Sequence, residues 1–299
     1  MVVLVSLLLL GVSGCGPSEK ERVRLSKQEK ARLDSIDQAA LKIGVMPTMD
    51  CLPVYLAYED SLFLQQGVTV HLRRYAAQMD CDTAIARKRV EGTVTDLIRA
   101  AYLQRKGTSL FYPISTNLYW QLISNRKARV SEVKQLSDKM IAITRHSATD
   151  YLATLAIDSA KPKYEVYRVQ INDLNIRLRM LLNNEMDAML LPEPFATQAR
   201  MAQHVVLTDS RAKNLNLGVF AFRSALRKDP RRKEQIDRFL KAYNMAVDSL
   251  NENGVQKYAD LLKKYYGVDD STIKQLPKMK YSHAMEPRLR DLKVAEIKN

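Results

Sequence analysis

The chain has 299 residues, 46% of them hydrophobic, and 47 Lys and Arg against 33 Asp and Glu give a formal net charge of +14. That apolar fraction excludes a disordered chain, and the length accommodates two lobes or domains. The cations are scattered among acids without a basic stripe interleaved with aromatics, which argues against nucleic acid as a partner and for a basic solvated surface that steers small anions toward a cleft.

Val2 to Val12 is an apolar run of signal-peptide length, too short for an ordinary transmembrane helix. It ends in Val12, Ser13, Gly14, Cys15, which resembles a bacterial lipobox and implies export, with Cys15 lipidated as the mature N-terminus. The alternative is a signal peptide whose cysteine is incidental, and no Lys or Arg precedes the run. Residues 16–40 are charged and polar, and read as a tether between anchor and folded body.

The body opens with a βαβ pattern from Leu41 to Tyr75. Leu41, Ile43, Val45 and Met46 form a strand, Pro47 and Pro53 bracket a turn, and Val54, Ala57, Tyr58 and Leu62 recur at helical spacing. Gly67 ends the helix, and Val68, Val70 and Leu72 alternate as a second strand. Ligands of open α/β sheets settle outside the carboxyl ends of the strands, so the turn Thr48, Met49, Asp50, Cys51 is a candidate site. With Cys15 assigned to lipid, Cys51 and Cys81 remain, each in a Met-Asp-Cys tripeptide that the pattern places just past a strand. Adjacent parallel strands bring such turns together, so a Cys51–Cys81 disulfide is expected; two small buried residues are the alternative. No His lies at ligand spacing from either, and the reading contains no metal site.

Helices are expected over Thr83 to Val90 and Ile98 to Lys106, with a strand over Gly92 to Leu97 between them. Ser109 to Ile114 is apolar and extended, and Ser115 to Asn117 marks a first crossing between lobes. Beyond it come a strand at Tyr119 to Ser124, a short helix at Val130 to Asp138 and a strand at Met140 to Thr144. The turn Arg145, His146, Ser147 opens a helix to about Ala160, with Ser147 as N-cap and Asp150 as its reciprocal partner. Its free N–H groups can hold an anionic group, although capping alone explains Ser147 equally well. A strand at Glu165 to Ile171 and a helix at Leu174 to Asn184 lead to the strand Met186 to Leu191, after which Pro192 and Pro194 flank Glu193. Val205 to Thr208 and Leu217 to Phe222 are the last strands. Ile236, Phe239, Leu240, Tyr243, Val247 and Leu250 make one helical face, Val255 to Tyr265 another, and the basic stretch from Thr272 packs outside the first lobe.

The ordered segments LKIGVMP, LPVYLAYEDSLFLQQGVTVHL, VEGTVTDLIRAAYL, VKQLSDKMIAIT and MDAMLLPEPFATQA resemble those of the type 2 periplasmic binding proteins of the aliphatic-sulfonate, nitrate and thiamine-pyrimidine branch. Asp60 and Ser61 stand where that family usually carries Lys-Gly. The resemblance implies a two-lobed α/β clamp, each lobe a mixed sheet flanked by helices, joined by two crossings. The implied division is 1–15 signal peptide, 16–40 tether, 41–114 and 209–299 first lobe, and 115–208 second lobe. The implied ligand site comprises Thr48, Met49, Asp50, Thr95, Asp96, Ser115, Thr116, Asn117, Arg145, His146, Ser147, Thr149 and Glu193. Asp50, Asp96 and Glu193 suit an amine, Arg145 suits a carboxylate, sulfonate or phosphate, and Met49, Tyr119 or Trp120 can stack on a ring.

The function so implied is a monomeric, lipid-anchored receptor facing the periplasm, without a cofactor, that delivers a polar or zwitterionic solute to the permease and ATPase of an ABC importer. Two other functions remain open, a sensory module and an enzyme on the same fold, such as a pyrimidine synthase or a lyase. Of the four histidines only His146 falls at a site turn, and no hydrolase, metalloprotease or phosphate-loop motif is present, which argues against the enzyme.

Overall fold

A computed structural model describes residues 19–297. Cys15 and the apolar start lie outside the described residues. The chain divides at Ala40 into two units. The first holds helix α1 (Glu19–Ala39), where a tether was expected. Lys, Glu, Arg and Gln are good helix formers, and Glu29 pairs with Arg32 one turn on at 2.8 Å. Among the described residues no helix is long and apolar enough to cross a membrane.

The second unit runs through β1 (Leu41–Val45), α2 (Leu52–Glu59), α3 (Leu62–Gln65), β2 (Val70–Arg74), α4 (Gln78–Ala86), β3 (Gly92–Asp96), α5 (Leu97–Arg105) and β4 (Leu110–Ser115). Then follow β5 (Gln121–Ser124), β6 (Met140–Ile143), α6 (Ala148–Ala160), β7 (Tyr167–Gln170), α7 (Leu174–Leu182), β8 (Ala188–Leu191), α8 (Phe195–Met201) and β9 (Val205–Asp209). The chain closes with β10 (Gly218–Arg223), α9 (Pro230–Asn253), α10 (Ala259–Tyr266), α11 (Asp270–Gln275) and α12 (Leu289–Ile297).

These strands form two five-stranded sheets of one plan, β2-β1-β3-β10-β4 and β7-β6-β8-β5-β9. In each, three parallel strands are followed by two in antiparallel pairing, and helices cover the faces. The antiparallel strands β5 and β10 are those the chain enters directly after crossing between sheets, so the crossings converge at one place. Gly218 sits there because a Cβ would overlap the Thr116 hydroxyl. The predicted α9 face is the core of the first lobe. Ile236, Phe239, Tyr243, Val247 and Leu250 are buried, and Phe239 stacks on Phe63 at 4.9 Å.

Several local expectations shift. β2 extends to Arg74 because β1 supplies partners as far as Val45. Only a 3-10 turn, Val133–Leu136, forms where a short helix was expected, held by a reciprocal cap between Glu132 and Gln135. The expected Cys51–Cys81 disulfide is absent: both are free, buried thiols. Helix α4 starts at Gln78, so Cys81 lies inside a helix instead of in a turn, while Cys51 Sγ accepts the Met46 N–H at 3.5 Å. The C-terminal part packs α12 on α5, but the segment before it runs past the crossings, where Ser115 N–H donates to the Met285 carbonyl at 2.7 Å.

Candidate functional site

Between the sheets lies a cavity of about 40 Å³ with a mixed lining: Thr48, Gln78, Thr95 and Asp96 reach it from the first lobe, Leu118 and Trp120 from the crossing, and Thr144, Ser147, Thr149, Asn172 and Arg177 from the second lobe, with Met46, Val94, Leu174 and Pro192 completing an apolar part of the wall. Five predicted residues therefore meet here: Thr48, Thr95, Asp96, Ser147 and Thr149. Met49, Asp50, Ser115, Asn117, Arg145, His146 and Glu193 do not line it.

The first wall follows from where β1 and β3 end. Thr48 lies in the turn after β1, and its carbonyl accepts from Tyr266 Oη at 3.3 Å. Thr95 Oγ1 accepts from Gln78 Nε2 at 3.2 Å. Asp96 caps α5 through the Arg99 N–H at 2.8 Å, and the backbone of Ala148, the first residue of α6 in the other lobe, also favours its charged form. Burial, opposed by those two backbone groups and reinforced by Asp82, pushes its pKa up to about 7.

Asp50 lies beside the cavity on the crossing side. Its Oδ2 accepts from Thr116 Oγ1 at 3.3 Å and its Oδ1 is buried without a partner. Burial pushes its pKa up to about 6.

The second wall is built on α6 and α7. Ser147 caps α6, its Oγ accepting the Thr149 N–H at 3.1 Å and donating to the Thr144 carbonyl at 2.7 Å. Asp150 accepts the N–H of His146 at 3.0 Å instead of that of Ser147, one residue from the expected reciprocal cap. Arg177 projects from the buried face of α7, which it shares with Leu174, Leu178 and Leu181, and is 1% exposed. Its Nε donates to the Ile171 carbonyl at 2.5 Å, Nη1 to the Leu190 carbonyl at 3.0 Å and Nη2 to Thr144 Oγ1 at 2.5 Å. These partners are neutral, and no carboxylate of the described residues forms an ion pair with it. Burial pulls its pKa down to about 9, against the pull of Asp173.

Glu193 is a correction. Its carboxylate accepts from Tyr119 Oη (3.1 Å), Gln121 Nε2 (2.9 Å), Thr197 N (2.9 Å) and Thr197 Oγ1 (2.6 Å) and pairs with Arg200 at 2.8 Å, so nothing remains for a ligand amine. Only its backbone carbonyl faces the other lobe, accepting the Met49 N–H at 3.1 Å. The Arg145 side chain is exposed, and its carbonyl accepts from Arg99 Nη1 at 3.1 Å. The His146 ring stacks on Tyr102 of α5 at 4.7 Å. These two residues hold the rim of the clamp.

Ser115 and Asn117 face the C-terminal side of the crossing, Ser115 Oγ accepting from Asn216 Nδ2 at 3.1 Å and Asn117 Nδ2 donating to the Lys280 carbonyl. Tyr119 is taken by Glu193, whereas Trp120 does line the cavity. Arg177 went unnoticed in sequence, yet it occupies an i+3 position on the apolar face of α7, and a cation on such a face is a readable signal.

No protein-family model matches the chain, and no curated protein matches its sequence. Solved structures do match in fold. The alkanesulfonate-binding protein of Xanthomonas axonopodis pv. citri, bound to MOPS, is 15% identical, with 86% of this chain and 90% of that one covered and a TM-score of 0.72. The periplasmic aliphatic sulphonate-binding protein of Escherichia coli is 16% identical, covering 86% and 84%, with a TM-score of 0.68. The periplasmic nitrate-binding protein of Synechocystis PCC 6803 is 11% identical, covering 83% and 74%, with a TM-score of 0.69. At these identities the likeness is one of architecture, and this chain has the two-lobed fold of the periplasmic binding proteins.

Proposed function

We propose that this chain is the solute-binding component of an ABC importer, lipidated at Cys15 on the bacterial cell envelope and facing the periplasm, and that as a monomer it closes on a small anionic solute for delivery to a permease and its ATPase. The observation that carries the reading is Arg177, a buried guanidinium in the cleft wall whose contacts are two carbonyls and a hydroxyl. A charge so placed is costly until an opposite charge joins it, and an anionic head group in the cavity does so. Thr48, Thr95, Ser147, Thr149 and Asn172 surround the same space with hydroxyls and an amide, and the one carboxylate of the wall, Asp96, has its pKa pushed up to about 7 by burial.

At about 40 Å³ the closed cavity suits a head group on the scale of one or two waters. Sulfonate and nitrate, the ligand types named for the proteins of this fold, are of that kind. This narrows the polar or zwitterionic expectation to an anion. No chemical step is assigned, because His146 stands outside the cavity and stacks on Tyr102.

A micromolar affinity requires about 8 kcal/mol, within reach of a few charge-assisted hydrogen bonds in a closed cleft. Isothermal titration against alkanesulfonates, nitrate, carboxylates and amino-pyrimidines tests the reading. Micromolar binding of an anion is expected. Preference for a neutral or cationic pyrimidine, or no binding across the panel, refutes it.

A further inference from the structure

A second cavity, about 420 Å³ in volume, opens where the crossings meet the segment between α11 and α12. Leu118 separates it from the cleft: Asn117 and Tyr119 line this cavity, while Trp120 lines the other. Its wall contains four cations, Arg211, Lys278, Lys280 and Arg288, and no carboxylate. Asp209 pairs with Arg211 at 2.9 Å and Asp291 with Arg288 at 2.6 Å, both from outside the wall. Lys278 and Lys280 have no acidic partner among the described residues, so two uncompensated charges face one space.

The strap that carries the lysines is held in place. Asn251 brackets the strap between them and α12, its Oδ1 accepting the Tyr281 N–H at 2.9 Å and its Nδ2 donating to the Tyr281 carbonyl at 2.8 Å. Tyr281 Oη in turn donates to the Met49 carbonyl at 3.1 Å. On the other side the Arg211 guanidinium lies 3.7 Å over the Tyr119 ring, a flat cation set against the first crossing.

We propose that this basic cavity at the crossings is a second ligand site, for a compact anion carrying two or more charges. The lysines supply point charges and Arg211, whose Nε and Nη2 already donate to Asp209, adds its remaining guanidinium N–H groups, a donor set that suits diphosphate oxygens or several carboxylates on one small molecule. Both crossing segments and the strap contribute to the wall, so a bound anion spans the part of the chain that flexes when the lobes move. The assignment is independent of what the cleft binds.

Inorganic pyrophosphate is the probe, titrated into the isotopically labelled full chain at fixed ionic strength, with amide shifts and calorimetry as readouts. One saturable site is expected, with shifts at Asn117 to Tyr119, Arg211 to Asn216 and Lys278 to Ser282. The exposed pair Lys278→Gln and Lys280→Gln should weaken it at least tenfold with an unchanged melting temperature, and Lys278→Glu with Lys280→Glu should abolish it. Shifts centred on Thr144 to Thr149 and Arg177 place the anion in the cleft and overturn the proposal. So does binding that never saturates, or that survives both double variants unchanged.

Discussion

Two charged side chains are buried to the same degree in the second lobe, and their surroundings are opposite. Glu193 and Arg177 are each 1% exposed. Glu193 is closed on every side, with Arg200 and donors from Tyr119, Gln121 and Thr197 on its two oxygens. Arg177 has only neutral acceptors and stands in the wall of a cavity. A buried charge whose partners are complete is architecture; one whose compensation is missing awaits a ligand. Removing Glu193 should therefore injure the fold, and removing Arg177 should injure binding.

The largest effect expected is on stability. Glu193→Ala leaves the Arg200 guanidinium and four other donors without their acceptor, and breaking a buried pair in this way costs about 3–5 kcal/mol. Denaturant unfolding checks it, with a loss below about 1 kcal/mol meaning that the cluster does not hold the strand end.

Arg177→Met gives the contrasting result. It removes a buried charge that has no acidic partner but leaves the Ile171 and Leu190 carbonyls and the Thr144 hydroxyl without their donor, so a stability loss of about 1–3 kcal/mol, smaller than that of Glu193→Ala, is expected. Affinity for an anionic solute should fall about a hundredfold, the scale of truncating one member of a buried charge pair. Were Arg177→Met to unfold the protein as readily as Glu193→Ala, the distinction between the two sites would collapse.

A pH dependence comes next. Burial pushes the pKa of Asp96, the cap of α5, up to about 7 in the closed clamp, against the backbone N–H of Arg99. Its ordinary value, near 4, applies when the cleft opens to water or the chain unfolds. Between those values the closed state holds more protons than the open one, so closure is fully favoured at low pH and weakens as pH rises from about 4 to about 7. Solute affinity should fall across that window, by at most about tenfold per pH unit for one proton. Asp96→Asn should flatten the fall. A variant whose affinity tracks the wild type at every pH removes Asp96 from the linkage.

How much of this was legible in the sequence differs between the two walls. The first wall follows strand ends: the βαβ pattern pointed to the turn with Thr48, and Thr95 and Asp96 came from the family resemblance. The Ser147 cap was legible directly, since a cap is a local pattern. Glu193 drew attention because two prolines flank it, but its saturation depends on Tyr119, Gln121 and Arg200, which lie far away or on the next helix. Arg177 was legible only as a cation on the apolar face of α7, because helical periodicity tells which face is inside and not that this face meets the cleft. Cys81 misled through a repeated tripeptide: the same three residues make a turn at Cys51 and a helix at Cys81.

The rim gives the smallest effect and the finest test of closure. His146, at φ 55°, stacks on Tyr102 across the cleft at 4.7 Å, while the Arg145 carbonyl accepts from Arg99. Neither contact touches the cavity, so neither contributes to solute recognition; both act only when the lobes are together. An aromatic stack of this kind is worth about 0.5–1.5 kcal/mol. His146→Ala should therefore weaken affinity about threefold for every solute alike, leaving the order of preference among anions unchanged. A calorimetric panel that changes in rank order instead would put His146 in contact with the ligand, and the rim would have to be counted as part of the site.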